Sequence, residues 1–242
     1  IVTKKASANG IEANVEAGSF GSLGAQGRLQ MAFRSGKWEQ AYSVSGGYKR
    51  SDGGTENSDF EKGQGYANLS LSYDRRLDIG AQLGIATQSY GANTFYSAKF
   101  NNQYEKTDHG IASFNVSVHN QGRTWEVTPA VYYNKFKDHY QLTRGKEGAA
   151  AGENYHNLDV FGGAVNAYVD WIAGKTAVGV DIGKERIYST ALGNQLDAAD
   201  YKSIPGSDRQ YTRKGERTNT NVMLEHNFIF GLSLIHISEP TR

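Results

Sequence analysis

Residues 109–136 carry the most regular alternation of hydrophobic and polar positions in the chain. Apolar side chains recur at every second residue in two arms, and only residues 120–123 separate the arms. A period of two places successive side chains on opposite faces of a strand, so the pattern predicts an antiparallel hairpin with a tight turn. Pro129 is unfavourable in a central strand because it has no N–H to donate. The alternating positions are Ala112, Phe114, Val116 and Val118, then Trp125, Val127, Pro129, Val131 and Tyr133.

The same alternation recurs along the chain and predicts about ten strands. Each arm of the central hairpin reaches about ten residues, which is long enough for a tilted strand to cross the hydrocarbon of a bilayer. The segments with this pattern are 11–17, 26–33, 38–48, 67–73, 77–85, 112–118, 125–133, 165–171, 178–182 and, more weakly, 222–230.

Short and long connections alternate from the second strand onward. Tight turns are predicted near residues 35, 75, 121 and 174, and long polar loops at 50–63, 88–108, 138–157 and 190–216. In an antiparallel meander this order places all short turns on one edge and all long loops on the other. Such asymmetry is typical of bacterial outer-membrane barrels.

Aromatic residues lie close to all four tight turns. Trp38, Trp125 and Trp171 lie within a few residues of three turns, and Tyr73 lies beside the fourth. This placement is expected of an interfacial aromatic girdle. The predicted fold class is therefore all-β: an antiparallel up-and-down transmembrane β-barrel fragment of about ten strands, which forms an open, curved sheet.

Composition narrows the possible functions. The chain has 242 residues, a formal net charge of +1 and no cysteine. A balanced charge does not favour a nucleic-acid partner, and the absence of cysteine removes disulfide and thiolate chemistry. No apolar run approaches the roughly 18 residues of a membrane-spanning helix, so any crossing of a membrane must use strands.

No constellation of residues favours catalysis or metal binding. The six histidines are dispersed without ligand-like spacing. The acidic residues of loop 50–63 lack the pattern of calcium-binding loops, and no serine lies in a nucleophile-elbow context. We therefore expect no catalytic residue, no metal site and no cofactor, and we expect that the protein is not an enzyme.

The segment 90–105, YGANTFYSAKFNNQYE, differs from the other loops in composition. It combines aromatic rings with amide side chains, a mixture that suits ligand binding but also suits packing on a barrel rim. The candidate ligand-binding residues are Tyr90, Asn93, Phe95, Tyr96, Asn102, Gln103 and Tyr104.

The alternation also predicts which side chains face the interior of the barrel. The opposite facing would bury charges in hydrocarbon, at about 2 to 4 kcal/mol for each Arg or Lys at mid-depth. The polar residues expected to face the interior include Gln26, Arg28, Gln30, Asn68, Gln82 and Glu126.

Three segments resemble TonB-dependent outer-membrane receptors of the Bacteroidetes type. IVTKK at residues 1–5 resembles the end of the plug domain, GIEANVEAGSFGSLGAQG at 10–27 resembles the first barrel hairpin, and GANTFYSAKFNNQYE at 91–105 resembles barrel sequence of the family, including its cobalamin-receptor-like members. The resemblance divides the chain into the end of the plug (1–8) and a partial barrel (9–231). Residues 232–242, LSLIHISEPTR, resemble a translated sequencing adapter.

The resemblance implies a 22-stranded, plugged barrel in the outer membrane that imports a scarce small-molecule ligand, such as cobalamin or a siderophore-type iron chelate. It also implies energy from the TonB complex and contact with outer-membrane lipid. The plug, the segment that contacts TonB and more than half of the strands have no counterpart in this sequence. The chain is therefore expected to be a fragment, and its substrate is not specified.

Two other classes share part of the pattern. A porin-like passive channel would have the same strands, and only IVTKK and the aromatic loop favour a receptor. A soluble carbohydrate-binding β-sandwich would have similar alternation, but its apolar faces would meet across a core. An outer-membrane enzyme is less favoured because no catalytic site is apparent.

Overall fold

A computed structural model describes residues 6–228, which form long antiparallel strands with two single turns of 3-10 helix, Ala149–Ala151 and Ala198–Asp200. The strands are β1 (Gly10–Gly18), β2 (Ser22–Ser35), β3 (Trp38–Ser51), β4 (Phe60–Tyr73), β5 (Leu77–Gly91), β6 (Tyr104–His119), β7 (Trp125–Gln141), β8 (Glu153–Trp171), β9 (Gly174–Ser189), β10 (Asn194–Gln195), β11 (Lys202–Ser203), β12 (Gln210–Tyr211) and β13 (Arg213–Phe228).

Each long strand pairs with its neighbour in the sequence. The order in the main sheet is β1 to β9, then β13 and β10, and every pair is antiparallel. Among residues 6–228, β1 lies at one end of this order and β13 with the short β10 lies at the other, and the two ends do not pair, so the sheet is open. Strands β11 and β12 form a separate two-stranded sheet. The predicted all-β, up-and-down open sheet is confirmed.

The four predicted tight turns are also confirmed. They connect β2 to β3, β4 to β5, β6 to β7 and β8 to β9 through two to five residues. The other connections, 52–59, 92–103, 142–152 and 190–212, lie at the opposite edge with the short turn between β1 and β2. We refer to these two edges as the short-turn end and the long-loop end.

The strands are longer than their hydrophobic pattern, and the loops are correspondingly shorter than predicted. For example, β8 has 19 residues and begins at Glu153, inside the segment expected to be a loop. Near the long-loop end both faces of the sheet are polar, so the alternation disappears although backbone pairing continues. Hydrophobic and polar residues alternate along a strand only where one face contacts an apolar environment. Where both faces of a strand contact water, the sequence shows no such alternation.

The two faces of the sheet are chemically opposite. On one face, which we call the apolar face, aliphatic and aromatic side chains of neighbouring strands lie side by side: Leu29 is opposite Val44, Phe114 opposite Val131, and Val180 opposite both Val165 and Val222. On the other, the polar face, Asn68 is opposite Gln82, which is opposite Ser113. The residues expected to face a barrel interior all lie on this polar face.

The aliphatic part of the apolar face forms a band that begins at the short-turn end. The band ends where the side chains on this face become charged, at Asp108 in β6, Lys135 in β7, Asp159 in β8 and Lys184 in β9. Nothing in residues 6–228 covers this band: Val44, Leu83, Phe161 and Val165 are 49–63% exposed. The sheet therefore has an apolar surface but no second layer packed on it.

The aromatic residues at the short-turn end are neighbours in space. The rings of Trp38 and Tyr73 lie 4.8 Å apart on adjacent strands, while Trp125 and Trp171 are 40% and 54% exposed near the next two turns. The predicted alignment of these aromatic residues along one edge is therefore present in the structure.

Pro129 lies in the central strand β7, where it interrupts pairing on one side. Between β6 and β7 the ladder is continuous up to Asn115 and Ala130 and resumes at Val118 and Val127 with the same register. The gap falls where Pro129 has no N–H to donate. The Ser117 and Thr128 hydroxyls, 2.7 Å apart, form a side-chain hydrogen bond across it.

Tyr132 packs closely on glycines of the polar face. Its hydroxyl donates a hydrogen bond to Asp181 (3.1 Å), and its ring lies over Gly162 and Gly183. A Cβ atom at Gly162 would lie 2.3 Å from the ring Cζ, so any other residue there would force the Tyr132 ring out of its present position. Glycine is therefore required at Gly162 to let the ring lie across strands β8 and β9.

No helix among residues 6–228 has the length and hydrophobicity needed to span a bilayer. The expectations for residues 1–5 and for the adapter-like segment 232–242 concern parts of the chain outside the described residues.

We expect Gly162→Ala to lower the stability of the sheet by about 1–3 kcal/mol, because the added methyl group displaces Tyr132 and breaks its hydrogen bond to Asp181. Gly163→Ala is the matched control, since the nearest atom to a Cβ there is the Ala130 carbonyl oxygen at 3.4 Å. Urea unfolding of both variants in detergent micelles measures the difference. Equal midpoints for the two variants would contradict the packing role of Gly162.

Candidate functional site

The predicted ligand-binding residues lie around the loop 92–103 at the long-loop end. Tyr90 is the penultimate residue of β5, and Tyr104 begins β6. The other candidates lie in the loop: Asn93, Phe95, Tyr96, Asn102 and Gln103. Strands β5 and β6 pair along their whole length, so the two ends of the loop are held at adjacent positions.

A three-loop contact fixes the base of this loop. The Arg144 guanidinium makes two hydrogen bonds to the Asp59 carboxylate (2.6 and 2.9 Å), and the Arg144 N–H donates to the Asn102 carbonyl oxygen (2.7 Å). The Asn57 amide donates to the Gln103 carbonyl oxygen (2.6 Å). The hydrogen bonds from Arg144 lower the pKa of Asp59, so the pair is ionised at neutral pH. Loops 52–59, 92–103 and 142–152 are thereby joined.

Two of the candidates contribute to the loop structure itself. The Gln103 side chain is fully buried, and its amide donates to the Phe100 carbonyl oxygen (2.8 Å) while its oxygen accepts from Tyr140 (2.7 Å). The Asn93 amide donates to the Glu56 carbonyl oxygen (2.7 Å). In this conformation the polar atoms of Gln103 are inaccessible to a ligand.

Other candidates are exposed at the crest of the loop. Phe95 is 75% exposed, Tyr96 is 50% exposed, and their rings make an edge contact with centroids 4.8 Å apart. An open depression of about 530 Å³ lies beside them, lined by Thr55, Ser58 and residues 90–95. Tyr90, Asn93 and Phe95 share this depression. Tyr104 lies apart, because it belongs to the other face, where its ring packs 4.8 Å from the Arg144 guanidinium carbon.

Beneath the loop, two tyrosine hydroxyls converge on one carboxylate of the polar face. Tyr90 and Tyr96 both donate hydrogen bonds to Glu105, and the two hydroxyls lie 3.2 Å from each other. Burial and the bond to Glu105 raise the pKa of Tyr96 to about 12. The pKa of Tyr90 is raised as well, so both phenols stay protonated. Tyr96 attaches the loop to β6, and Tyr90 adds a side-chain contact between β5 and β6.

Asp138 lies beside Glu105 on the polar face and is mostly buried. Burial, together with the negative charge of Glu105 and a hydrogen bond to it, raises the pKa of Asp138 to about 7. His156 Nε2 lies 3.9 Å from the Asp138 carboxylate, and His156 Nδ1 lies 2.8 Å from the Ser189 hydroxyl. Burial lowers the pKa of His156, so the imidazole does not supply a compensating charge at neutral pH.

Sequence reasoning missed Glu105, Asp138 and His156 as a cluster. Asp138 and His156 fell within one predicted loop, 138–157, whereas the structure places them opposite each other on β7 and β8. In β7, Asp138 lies on the same face as Phe136 and Tyr140, so this face mixes polar and aromatic residues and gives no uniform alternation that would predict a strand.

On the apolar face, the buried carboxylate of Glu153 attaches loop 190–212 to the sheet. Burial raises the pKa of Glu153, but hydrogen bonds from the Gly148 N–H, His139, Tyr155 and Arg209 outweigh it and lower the pKa to about 2. Arg209 belongs to the loop 190–212, and its guanidinium also donates to the Glu153 carbonyl oxygen (2.6 Å). This contact attaches the loop to the start of β8.

The polar face also contains a shallow trough nearer the middle of strands β1 to β6. Its volume is about 540 Å³, and Glu12, Gln26, Arg28, Gln64 and His109 are among the residues that line it. Among residues 6–228, no group of three or more His, Asp or Glu side chains is placed to hold a metal ion. The arrangement of both depressions suits non-covalent binding.

Comparison of the chain with protein-family models, with curated proteins and with solved structures yields no match.

We expect Asp138→Asn to change the pH dependence of stability. The folded-state pKa of Asp138, about 7, is above its ordinary value of 3.8, so its stabilising contribution is complete below pH 3.8 and is lost as the pH rises through about 7. The variant should therefore be more stable than the wild type at about pH 8, by on the order of 1 kcal/mol or more, with a smaller difference at about pH 5.

Urea unfolding in micelles across this pH range measures the effect. Asp197→Asn, in the exposed part of loop 190–212, is the control and should leave the pH dependence unchanged. A parallel pH dependence for wild type and Asp138→Asn would show that Asp138 is not the titrating group.

Proposed function

We propose that this chain is part of the wall of an outer-membrane β-barrel. One observation carries the proposal: ten neighbouring strands, β1 to β9 and β13, place an uncovered aliphatic band on one face and polar side chains on the other. Soluble monomers seldom expose contiguous apolar patches larger than a few hundred Å². A hydrocarbon environment for this band, with water on the polar face, satisfies both faces.

The alternative of a soluble β-sandwich fits the sheet poorly. A sandwich buries the inner faces of two sheets against each other. Among residues 6–228, the buried hydrophobic residues are Ala6, Ala41, Ala92, Ile204 and Tyr211, and none belongs to the aliphatic band. Among residues 6–228, the edge of β1 is unpaired, and β13 pairs on its outer side only with the two-residue β10. Such edges are more consistent with a wall that continues into further strands.

More specifically, we propose a TonB-dependent receptor that binds and imports a scarce ligand of the cobalamin or iron-chelate class. The joined loops and the exposed rings of Phe95 and Tyr96 support ligand capture at the long-loop end, a feature that a passive pore does not require. Energy would come from the TonB complex, as in the family that the sequence resembles. The protein would act by binding and gated passage and would catalyse no reaction.

The membrane part of the proposal predicts a face-specific effect of charge. Val165 lies in the aliphatic band of β8, and its neighbour Asn166 is exposed on the polar face. We expect Val165→Arg to reduce insertion into phosphatidylcholine vesicles by about 2–4 kcal/mol, because it places a charge at mid-depth in hydrocarbon. Asn166→Arg, which adds the same charge on the opposite face, should insert like the wild type.

Flotation of the chain with vesicles measures insertion. If the wild type remains soluble without vesicles or detergent, and if both arginine variants behave alike, the apolar band does not face lipid and the barrel proposal fails.

The ligand part of the proposal predicts a role for Phe95. Because this ring is exposed, Phe95→Ala should leave the sheet intact but weaken binding roughly tenfold, the order expected for the loss of one aromatic contact. Titration of the micelle-bound chain with cyanocobalamin and with ferric enterobactin measures binding. Leu192→Ala, an exposed apolar residue of loop 190–212, is the control. Absence of saturable binding by both ligands would favour the passive channel.

A further inference from the structure

In β7, β8 and β9 the apolar face changes from aliphatic or aromatic to charged side chains between one residue of that face and the next. In β7, Tyr133 is followed on the same face by Lys135, and in β9, Ile182 is followed by Lys184. We call the charged zone of β6 to β9 and β13 on this face the cationic belt. Its cations are Lys106, Lys135, Lys137, Lys184, Arg186 and Lys214, and its carboxylates are Asp108, Asp159 and Glu216.

Strand register makes the belt continuous across five strands. Asp108 of β6 is opposite Lys137 of β7. Beside Lys137 on the same face, Lys135 is opposite Asp159, which is opposite Arg186, which is opposite Glu216. Side chains opposite each other on one face have Cβ atoms about 5 Å apart. The belt therefore runs along the edge of the aliphatic band and is not a set of unrelated surface lysines.

The carboxylates of the belt do not neutralise its cations. Asp159 pairs with Lys135 (2.7 Å), whereas Glu216 is shared by Lys184 (3.6 Å), Arg186 (2.8 Å) and Lys214 (2.9 Å). Lys184, Arg186 and Lys214 remain 31–52% exposed. Six cations against three carboxylates leave an excess of positive charge next to the band.

At the short-turn end of the band, the apolar face carries uncharged side chains. There the strands carry Val118, Trp125, Val169 and Trp171, and the lysines and arginines at that end lie in the turns or on the polar face. The positive charge on the apolar face is therefore confined to the long-loop end. A bilayer places headgroup phosphates immediately outside the hydrocarbon, which is the depth of the belt relative to the band.

We propose that the cationic belt binds the phosphate groups of anionic lipids in the leaflet around the long-loop end. This inference rests on the proposed barrel function, since it requires the band to lie in hydrocarbon. Phosphate offers several acceptor oxygens, and a guanidinium flanked by two ammonium groups, as at Arg186, can donate to more than one of them. The long stems of Lys184 and Lys214 allow their amines to reach the headgroup layer while their methylenes contact acyl chains.

Vesicle flotation tests the proposal with the full chain. Vesicles of phosphatidylcholine alone are compared with vesicles of phosphatidylcholine mixed with phosphatidic acid, which presents a phosphate monoester. We expect the wild type to bind the mixed vesicles at least about tenfold more strongly. Replacement of the cations around Glu216, in the variant Lys184→Gln, Arg186→Gln and Lys214→Gln, should abolish most of this preference but not binding to phosphatidylcholine.

The matched control removes three cations at the short-turn end, two of which contact one carboxylate. Lys37 and Arg76 lie 3.1 and 3.9 Å from Asp74, and Arg75 lies in the same turn. The variant Lys37→Gln, Arg75→Gln and Arg76→Gln should retain the preference. Equal binding of the wild type to both vesicles, or equal loss in both variants, would overturn the inference. Failure to float with phosphatidylcholine would instead count against the barrel itself.

Discussion

Backbone hydrogen bonds between neighbouring strands hold this sheet together, because its side chains bury almost no common core. Strands β2 to β9 and β13 each have 14 to 19 residues, and they pair nearly without interruption. At the gap beside Pro129, a hydrogen bond between the Ser117 and Thr128 side chains links the two strands in place of backbone pairing. In such a sheet the side chains are free to adapt each face to a different solvent. The aliphatic band, the polar trough and the belt all follow from this freedom.

The sequence predicts those parts of the structure that follow from local alternation. The hairpin of β6 and β7, the four tight turns and the facing of Gln82 or Glu126 needed only the period of two and the turn residues. The extent of the strands was not predictable in this way. Residues such as Asp138 and Glu153 lie in paired strands where both faces are polar, so their periodicity carries no signal.

At the candidate site, the structure differs from the sequence-based prediction because of contacts between segments that are distant in the sequence. The amide composition of loop 90–105 suggested ligand donors and acceptors, but Gln103 uses its amide to fold the loop and Asn57 braces it from another loop. The sequence contains no sign that Arg144, 85 residues from Asp59, joins them. By contrast, Phe95 and Tyr96 remain exposed, so the aromatic part of the predicted site is available for contact with a ligand. Much of the polar part of that site instead stabilises the loop.

The strands extend beyond the aliphatic band, and this extension determines how far from the membrane a ligand would contact the aromatic loop. Strand β7 continues for eight residues after Tyr133, to Gln141, which corresponds to roughly 20 Å of height for a tilted strand. In the proposed orientation, the part of this extension near Lys135 and Lys137 lies in the headgroup layer, and the part beyond it forms a collar above the lipid surface with the aromatic loop at its rim. A bulky solute could then reach Phe95 and Tyr96 without crossing the headgroup layer, whereas acyl chains could not compete for those rings.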